Sequence, residues 1–215
     1  MFENSVIIAG GIGSRMRPLT NYIPKAIVEI NGTPLINNSI EFLSLYKINI
    51  FVTYNYLPNF IFEKINSSVS GFINTINQDN SYFLFNSFVK KFNEPIIVLP
   101  CDIKINIDLN EVYEDYLKKG EPSIMIVGTS PVNGVSGDYL EIDKNNNIIS
   151  LSRTIKTRQY CSGLQIINPY KVNKLSEPYN NFYSVWNYLI EKKEIKLSGI
   201  SPDFWNSYDE INQIK

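Results

Sequence analysis

The stretch Val6–Ile30 constrains this chain more than any other. A short apolar run, Val6-Ile7-Ile8-Ala9, leads into Gly10-Gly11-Ile12-Gly13-Ser14-Arg15-Met16-Arg17-Pro18-Leu19-Thr20 and then Pro24-Lys25-Ala26-Ile27-Val28-Glu29-Ile30. That order predicts a buried strand running into a glycine-rich loop with cations set just behind it. Glycine lets main chain approach an anion closely, because no Cβ intervenes and positive φ costs little. Successive N–H groups in such a turn form a concave anion site. Arg15 offers a planar fork of donors and Lys25 a compact point charge, so the pair suits a triphosphate. Two better-known glycine patterns do not fit. A P-loop needs Lys-Ser/Thr after its last glycine, where Ser14-Arg15 stand, and the dinucleotide fingerprint needs a glycine where Met16 stands. The glycines taken alone also fit a tight strand-to-loop turn with solvated basic residues.

The chain contains no histidine, which excludes His-based triads, His-ligated metals and imidazole acid/base catalysis. A reaction whose nucleophile is already an anion needs no such base, and a phosphate oxygen attacking an α-phosphorus is one. With 215 residues, 44% hydrophobic and 19% charged, the chain predicts one globular domain over 1–215 with a sizeable core. The net charge is −1 and no long basic run occurs, which argues against a nucleic-acid partner. Glu3 and the short apolar run after it do not make a signal peptide, and no segment approaches the length of a membrane span. A cytoplasmic protein without a membrane partner is expected. Cys101 and Cys161 lack zinc spacing; free thiols are the expectation, with a disulfide left open by sequence.

Periodicity supplies the coarse architecture. Ala26–Ile30 reads as a strand, and Asn31-Gly32 as a turn. Thr33 then caps a helix with Pro34 at its first position, carried by Ile36, Ile40 and Leu43. Further strands are expected at Asn49–Tyr54 and Gly71–Ile76, and helices from Pro58 and over Tyr82–Phe92. Ile96-Ile97-Val98-Leu99, ending at Pro100-Cys101-Asp102, reads as a central strand buried on both faces. Asp108 caps the next helix, closed by Lys118-Lys119-Gly120, and a strand follows at Ser123–Val127. Tyr139–Ile142 and Ile148–Leu151 flank a hairpin turn. A strand at Gln159–Ile167, a helix capped by Asn180 or Asn181, a strand at Glu194–Ile200 and a C-terminal helix with a capping box at Ser207–Glu210 complete the chain. Alternating strands and helices predict an α/β sheet with ligands at the carboxyl ends of its strands. Residues 131–170 are expected to form an acceptor-side subregion.

Gly10-Gly11-Ile12-Gly13-Ser14-Arg15-Met16-Arg17-Pro18-Leu19-Thr20, followed by Pro24-Lys25, resembles the signature Gly-Gly-x-Gly-Ser/Thr-Arg-x-x-Pro-Leu-Thr…Pro-Lys of the nucleotidyltransferases that activate sugar 1-phosphates and related phospho-alcohols. The resemblance implies the nucleotide-diphospho-sugar transferase fold: Rossmann-like, with a mixed, mostly parallel sheet and helices on both faces. It implies condensation of an NTP with a phosphorylated acceptor, release of pyrophosphate, and Mg²⁺ as cofactor. A sugar 1-phosphate is the first expectation for the acceptor and a phospho-alcohol such as phosphocholine the near variant, with cell-surface polysaccharide supply as the pathway. A homo-oligomer is compatible with it. Two other readings are a non-catalytic nucleotide-sugar-binding regulator on the same fold and a molybdenum-cofactor nucleotidyltransferase; the Pro-Leu-Thr…Pro-Lys continuation favours the sugar branch.

Site residues follow from the same resemblance. Ala9, Gly10, Gly11, Gly13, Ser14 and Arg15 would cradle the nucleotide, and Gln78 and Asn80 would face its base, although the family's Gly-Thr is missing there. Arg15, Lys25 and Asp102 would be catalytic: Arg15 on the departing phosphates, Lys25 on the α- or acceptor phosphate, Asp102 on the metal. Mg²⁺ favours carboxylate and phosphate oxygens. The family's second metal carboxylate lies near the C-terminus, where Phe204-Trp205-Asn206-Ser207-Tyr208-Asp209-Glu210-Ile211 is a degenerate match and points to Asp203 or Asn206. Arg153, standing where relatives carry Glu-Lys-Pro, together with Ser162 and Gly163 and with Lys25, would meet the acceptor. Cys101 reads as a packed thiol.

Overall fold

Four apolar residues in a row are stable in a strand only when both of its faces are covered. The computed structural model describes residues 1–135, 137–179 and 181–214. In chain order its strands and helices are β1 (Asn4–Ile8), β2 (Glu29–Ile30), β3 (Thr33–Pro34), α1 (Leu35–Ser44), β4 (Asn49–Tyr54), α2 (Pro58–Ile65), β5 (Gly71–Asn74), α3 (Tyr82–Asn86), β6 (Ile96–Pro100), β7 (Ile103–Asn106), α4 (Leu109–Lys118), β8 (Ile124–Thr129), β9 (Tyr139–Ile142), β10 (Ile148–Ser152), β11 (Tyr160–Ile167), α5 (Pro169–Leu175), α6 (Phe182–Glu191), β12 (Ile195–Leu197) and β13 (Phe204–Ser207).

Among the described residues nine strands form the main sheet, in the order β10-β9-β11-β6-β1-β4-β5, with β8 beside β11 and β12 beside β8. β1 runs parallel to β4 and β6, β4 to β5, and β8 to β12, while β11 is antiparallel to β6, β8 and β9. The sheet is therefore mixed and mostly parallel. The two apolar runs supply its centre. Successive side chains on a strand point to opposite faces, so Ile7, Ile97 and Leu99 join one core layer while Val6, Ile96 and Val98 join the other. The first layer is closed by Ile36, Ile40 and Leu43 of α1, Ile61 and Ile65 of α2, and Val112 and Tyr116 of α4. The second is closed by Phe83 of α3, Val172 of α5, and Val185, Trp186 and Leu189 of α6. Each fully buried aliphatic side chain contributes roughly 1.5–3 kcal/mol relative to exposure, so helices on both faces follow from the two-sided apolar strands. Among the described residues, no helix is long and apolar enough to cross a membrane.

Local expectations fail where tertiary hydrogen bonds replace local ones. Ala26–Ile30 is not one strand: Lys25–Ile27 forms a 3₁₀ turn with Ile27 N donating to Pro24 O at 2.9 Å, and only Glu29–Ile30 pairs, with Thr33–Pro34. Thr33 therefore does not cap α1. Leu35 N instead donates to Val28 O at 2.9 Å, so the hairpin serves a donor that a cap would have served. The Tyr82–Phe92 helix breaks at Ser87, which is extended and caps a separate 3₁₀ turn over Phe88–Lys91. Asp108 and Asn181 cap α4 and α6 through their side chains; Asn180 lies outside the described residues. In place of the expected C-terminal helix, Ser207 ends β13, which is antiparallel to β7, and only a 3₁₀ turn follows, its capping box joining Glu210 to Gln213. The strand expected at Glu194–Ile200 shortens to β12.

Candidate active site

β1 and β6 are neighbours and point the same way, so the segments that leave their carboxyl ends, Ala9–Gly13 and Cys101-Asp102, emerge side by side. This is where an open α/β sheet binds ligands. The glycine loop is fixed from behind. Gly13 has φ 68°, a left-handed conformation, and its carbonyl accepts Thr20 Oγ1 at 2.7 Å and Met16 N at 2.9 Å. A Cβ on Gly13 would lie 2.9 Å from Lys25 Cβ and 3.0 Å from Thr20 Cγ2. Glycine is thus required there twice, by conformation and by space. The close contact also places the Lys25 stem directly under the loop. Ala9 N donates to Thr53 Oγ1 at 3.0 Å and so orients the loop from β4.

Lys25 is buried, and its Nζ donates to the Asp102 carboxylate and, at 2.7 Å, to Oδ1 of Asp209. Arg15 donates from Nη2 to the same Asp209 oxygen at 2.9 Å. Burial works against a charge on Lys25, but Asp102 and Asp209 outweigh it and hold its pKa above the usual lysine value. The ammonium therefore stays charged. Burial pushes the neighbouring Cys101 thiol up to about 12, so it is neutral and no nucleophile. Cys161 is shifted to the same value by the same cause, and both cysteines are free.

Asp209 reaches this point through β13. Ser207 pairs with Ile103 and Tyr208 N donates to Asp102 O at 2.9 Å, so the chain lies against the residue that follows β6. Period-two alternation then sorts the side chains. Trp205 and Ser207 turn inward and are buried, while Phe204 and Asn206 turn the other way. Asn206 lies across from Lys104, and its Oδ1 accepts Ser207 N at 3.0 Å; Asp203 is exposed and precedes the strand. Neither of the two expected C-terminal ligands meets Asp102; Asp209 does. The degenerate family match in this stretch points to Asp203 or Asn206 and so passes over Asp209. The alternation Phe204-Trp205-Asn206-Ser207 was the available signal.

Two adjoining cavities meet at this cluster. The larger, about 620 Å³, is lined by the glycine loop, Lys25, Asn55, Gln78 and Asn80. The smaller, about 300 Å³, is lined by Asp138, Arg153, Gly163, Trp186 and Trp205 among others. Arg15, Asp102 and Asp209 belong to both. The structure therefore gathers Gly10, Gly11, Gly13, Ser14, Arg15, Lys25, Asp102, Gln78 and Asn80 around one cavity. Asn55, which sequence reading missed, holds that wall: its Nδ2 donates to Gln78 O and its Oδ1 accepts Asn77 N. Asn80 Oδ1 accepts Phe182 N at 3.2 Å, so it also tethers α6.

The smaller cavity exists because β11 outruns β6. Gln165–Ile167 pairs with β6, but Tyr160 and Cys161 lie beyond its end and pair with β8, and Tyr160 with β9 as well. A register shift separates the two halves. Gly163 sits in it with φ 89°, and a Cβ there would come within 2.9 Å of Pro100 Cγ. Ser162 lines the cavity, but its hydroxyl donates to Val127 O at 2.7 Å and its carbonyl accepts Trp205 Nε1 at 2.7 Å. Its polar groups are already used by the protein. Arg153 lies away from the Asp102 cluster; its Nε donates to Asp138 Oδ1 at 3.2 Å and to the Tyr183 hydroxyl at 3.0 Å. Tyr183 in turn donates to Asp138, and burial together with that carboxylate pushes the phenol up to about 12. Tyr183 carried no recognisable signal in the sequence.

The profile of the family described as Nucleotidyl transferase matches residues 4–152. The chain belongs to this family. Among curated nucleotidyltransferases it is similar to a mannose-1-phosphate guanyltransferase of Aspergillus oryzae, 24% identical over 187 residues covering 80% of this chain and 51% of that protein. It is also similar to a choline-phosphate cytidylyltransferase of Streptococcus pneumoniae, 46% identical over 54 residues, which is 25% of this chain and 24% of that one. The chain thus spans about half the length, or less, of these relatives. An inositol-1-phosphate CTP transferase from T. maritima shares the fold, with a TM-score of 0.77 at 16% identity over 100% of this chain and 92% of that one. The nucleotide-diphospho-sugar transferase fold expected from the resemblance is therefore the fold observed.

Proposed function

We propose that this nucleotidyltransferase domain, taken over residues 1–215, condenses an NTP with a phosphorylated acceptor: a sugar 1-phosphate, or in the near variant a phospho-alcohol. A phosphate oxygen of the acceptor attacks the α-phosphorus, the bond from that phosphorus to the bridging oxygen breaks, and pyrophosphate leaves. The attacking oxygen is already anionic, which suits a chain without histidine. One observation carries the reading. Two cavities, one walled by the glycine loop and one by the bulged strand β11, meet at Arg15, Asp102 and Asp209. A reaction that joins two phosphate-bearing substrates needs such a junction, because holding both reactants in line removes much of the entropic barrier.

In this reading main-chain N–H groups of Gly10–Ser14 hold the triphosphate and Arg15 neutralises the departing charge. Lys25, buried and charged, faces the phosphates at the junction. Asp102 and Asp209 suit Mg²⁺: both are carboxylates, a hard oxygen donor set, and they already converge on a single cation, the Lys25 ammonium. Among the described residues no third acidic, cysteine or histidine ligand joins them, and Mg²⁺ ordinarily completes its shell with water and substrate phosphate. When bound it would supply charge neutralisation at the α-phosphate. Arg153, at the mouth of the smaller cavity, is proposed to meet the acceptor. Pyrophosphate release measured with each NTP against a panel of sugar 1-phosphates and phospho-alcohols tests the reading. Tight binding of a nucleotide sugar with no pyrophosphate from any pair would replace it with the regulator.

A further inference from the structure

Both cations that the nucleotide needs are held by one carboxylate. Oδ1 of Asp209 accepts Lys25 Nζ at 2.7 Å and Arg15 Nη2 at 2.9 Å, and Lys25 Nζ also bonds Asp102. The lysine head thus lies between the two carboxylates and is buried there. We propose that the Lys25 ammonium occupies the divalent-cation position of the nucleotide-free protein and exchanges with the metal, so that metal binding releases Lys25 and Arg15 to the phosphates. The proposal rests on the Asp102–Asp209 pair as the metal site in the function proposed above.

Charge and space both require the exchange. Two carboxylates within hydrogen-bond reach of one ammonium repel each other strongly unless a cation lies between them. In the nucleotide-free protein Lys25 supplies that cation, and it satisfies the pair without any metal. A divalent ion at the same carboxylate oxygens would meet the ammonium at short range, and like charges that close repel. One of the two must leave. The lysine has a direction to go, because its stem already packs under Gly13 and its head lines the glycine-loop cavity. Arg15 is about half exposed and, among the described residues, its side chain bonds only Asp209, so loss of that partner frees it as well. Metal loading and readiness for phosphate become one event. The free protein is spared a bare pair of carboxylates, and the metal-free protein offers a triphosphate two cations that are already engaged.

Manganese alone, without nucleotide or acceptor, tests the exchange. Mn²⁺ binding is titrated by electron paramagnetic resonance for wild type, Lys25→Met and Arg17→Met; Arg17 is an exposed neighbour outside the site and sets the change due to removing any nearby positive charge. Removing the competing ammonium is expected to tighten Mn²⁺ binding at least tenfold in Lys25→Met, and Arg17→Met no more than about twofold. A crystal soaked in Mn²⁺ is expected to show the ion between Asp102 and Asp209 with the Lys25 head turned to the glycine loop. Equal tightening by the two variants, no Mn²⁺ binding to either, or an ion bound while Lys25 keeps both carboxylates would overturn the exchange. Each of these leaves pyrophosphate release as the separate check on the reaction itself, and a protein inactive in the panel can still bind Mn²⁺ by displacing Lys25.

Discussion

The walls of the two cavities are built by opposite rules. The glycine-loop wall, proposed for the nucleotide, comes from parallel strands β1, β4 and β6, short loops and glycine, and its charged groups converge on a single point. The wall of the smaller cavity, proposed for the acceptor, comes from the antiparallel β11, from Asp138 and Arg153 beside β9 and β10, and from α6 and β13. Its polar groups are already satisfied within the protein: Ser162 by Val127, Gln165 by the Trp186 indole, Arg153 by Asp138 and Tyr183. The first wall offers the loop main chain and the cations that the proposed triphosphate would need. The second is shaped by its own internal hydrogen bonds, and a ligand there must either fit what is left or exchange partners with Arg153.

Substitutions can break that contrast, beginning with the largest expected effect. Asp102→Asn keeps the shape of the site but removes half of the carboxylate pair. Turnover in the pyrophosphate assay is expected to fall roughly a thousandfold, about 4 kcal/mol of barrier, with nucleotide affinity measured separately changed by less than about threefold; unaltered turnover would remove Asp102 from the reaction. Next is Arg153→Ala, for which acceptor KM should rise on the order of tenfold, the range of one charge-assisted contact, while the NTP KM holds. If the NTP KM moved instead, the two walls would not divide the substrates as described. Gly13→Ala meets both a left-handed backbone and the Lys25 stem, and should lower stability by about 1–2 kcal/mol in thermal or denaturant melts and weaken nucleotide binding in the same variant. A neutral Gly13→Ala would show that the loop is less rigidly held than its contacts with Thr20 and Lys25 indicate. Smallest is Ser162→Ala, which loses a buried hydroxyl bond worth about 1 kcal/mol of stability and should leave acceptor KM unchanged, because that hydroxyl already belongs to Val127. A rise in acceptor KM without loss of stability would return Ser162 to the acceptor.

The same contrast decides what could be read before folding. The glycine loop and its cations lie within one continuous stretch, Gly10 to Lys25, so their chemistry is local and appears as a pattern of residues. Asp102 was legible because it directly follows a run buried on both faces, and such a run ends at the ligand edge of a parallel sheet. Arg153, Ser162 and Gly163 were expected from the resemblance and line the smaller cavity, but the contacts of that wall and the C-terminal carboxylate were not legible in that way. Asp138, Arg153 and Tyr183 come from three separate segments, and their meeting depends on β11 running past β6 through the register shift at Gly163. For a related reason Asp209 was not singled out. Ser207-Tyr208-Asp209-Glu210 satisfies a local capping rule, yet Ser207 is held in β13 by pairing with β7, and only a short 3₁₀ turn capped at Glu210 follows.

The sequence by itself determined the two-faced apolar strands, the sheet with helices on either side, and the glycine-rich loop, because each depends on the order and type of neighbouring residues. Only the tertiary structure decided that Asp209 completes the carboxylate pair and that Lys25 lies between the two acids. Those facts depend on Asp209 Oδ1 meeting Lys25 Nζ across 184 positions of chain, a distance that packing of the sheet closes and no local pattern encodes.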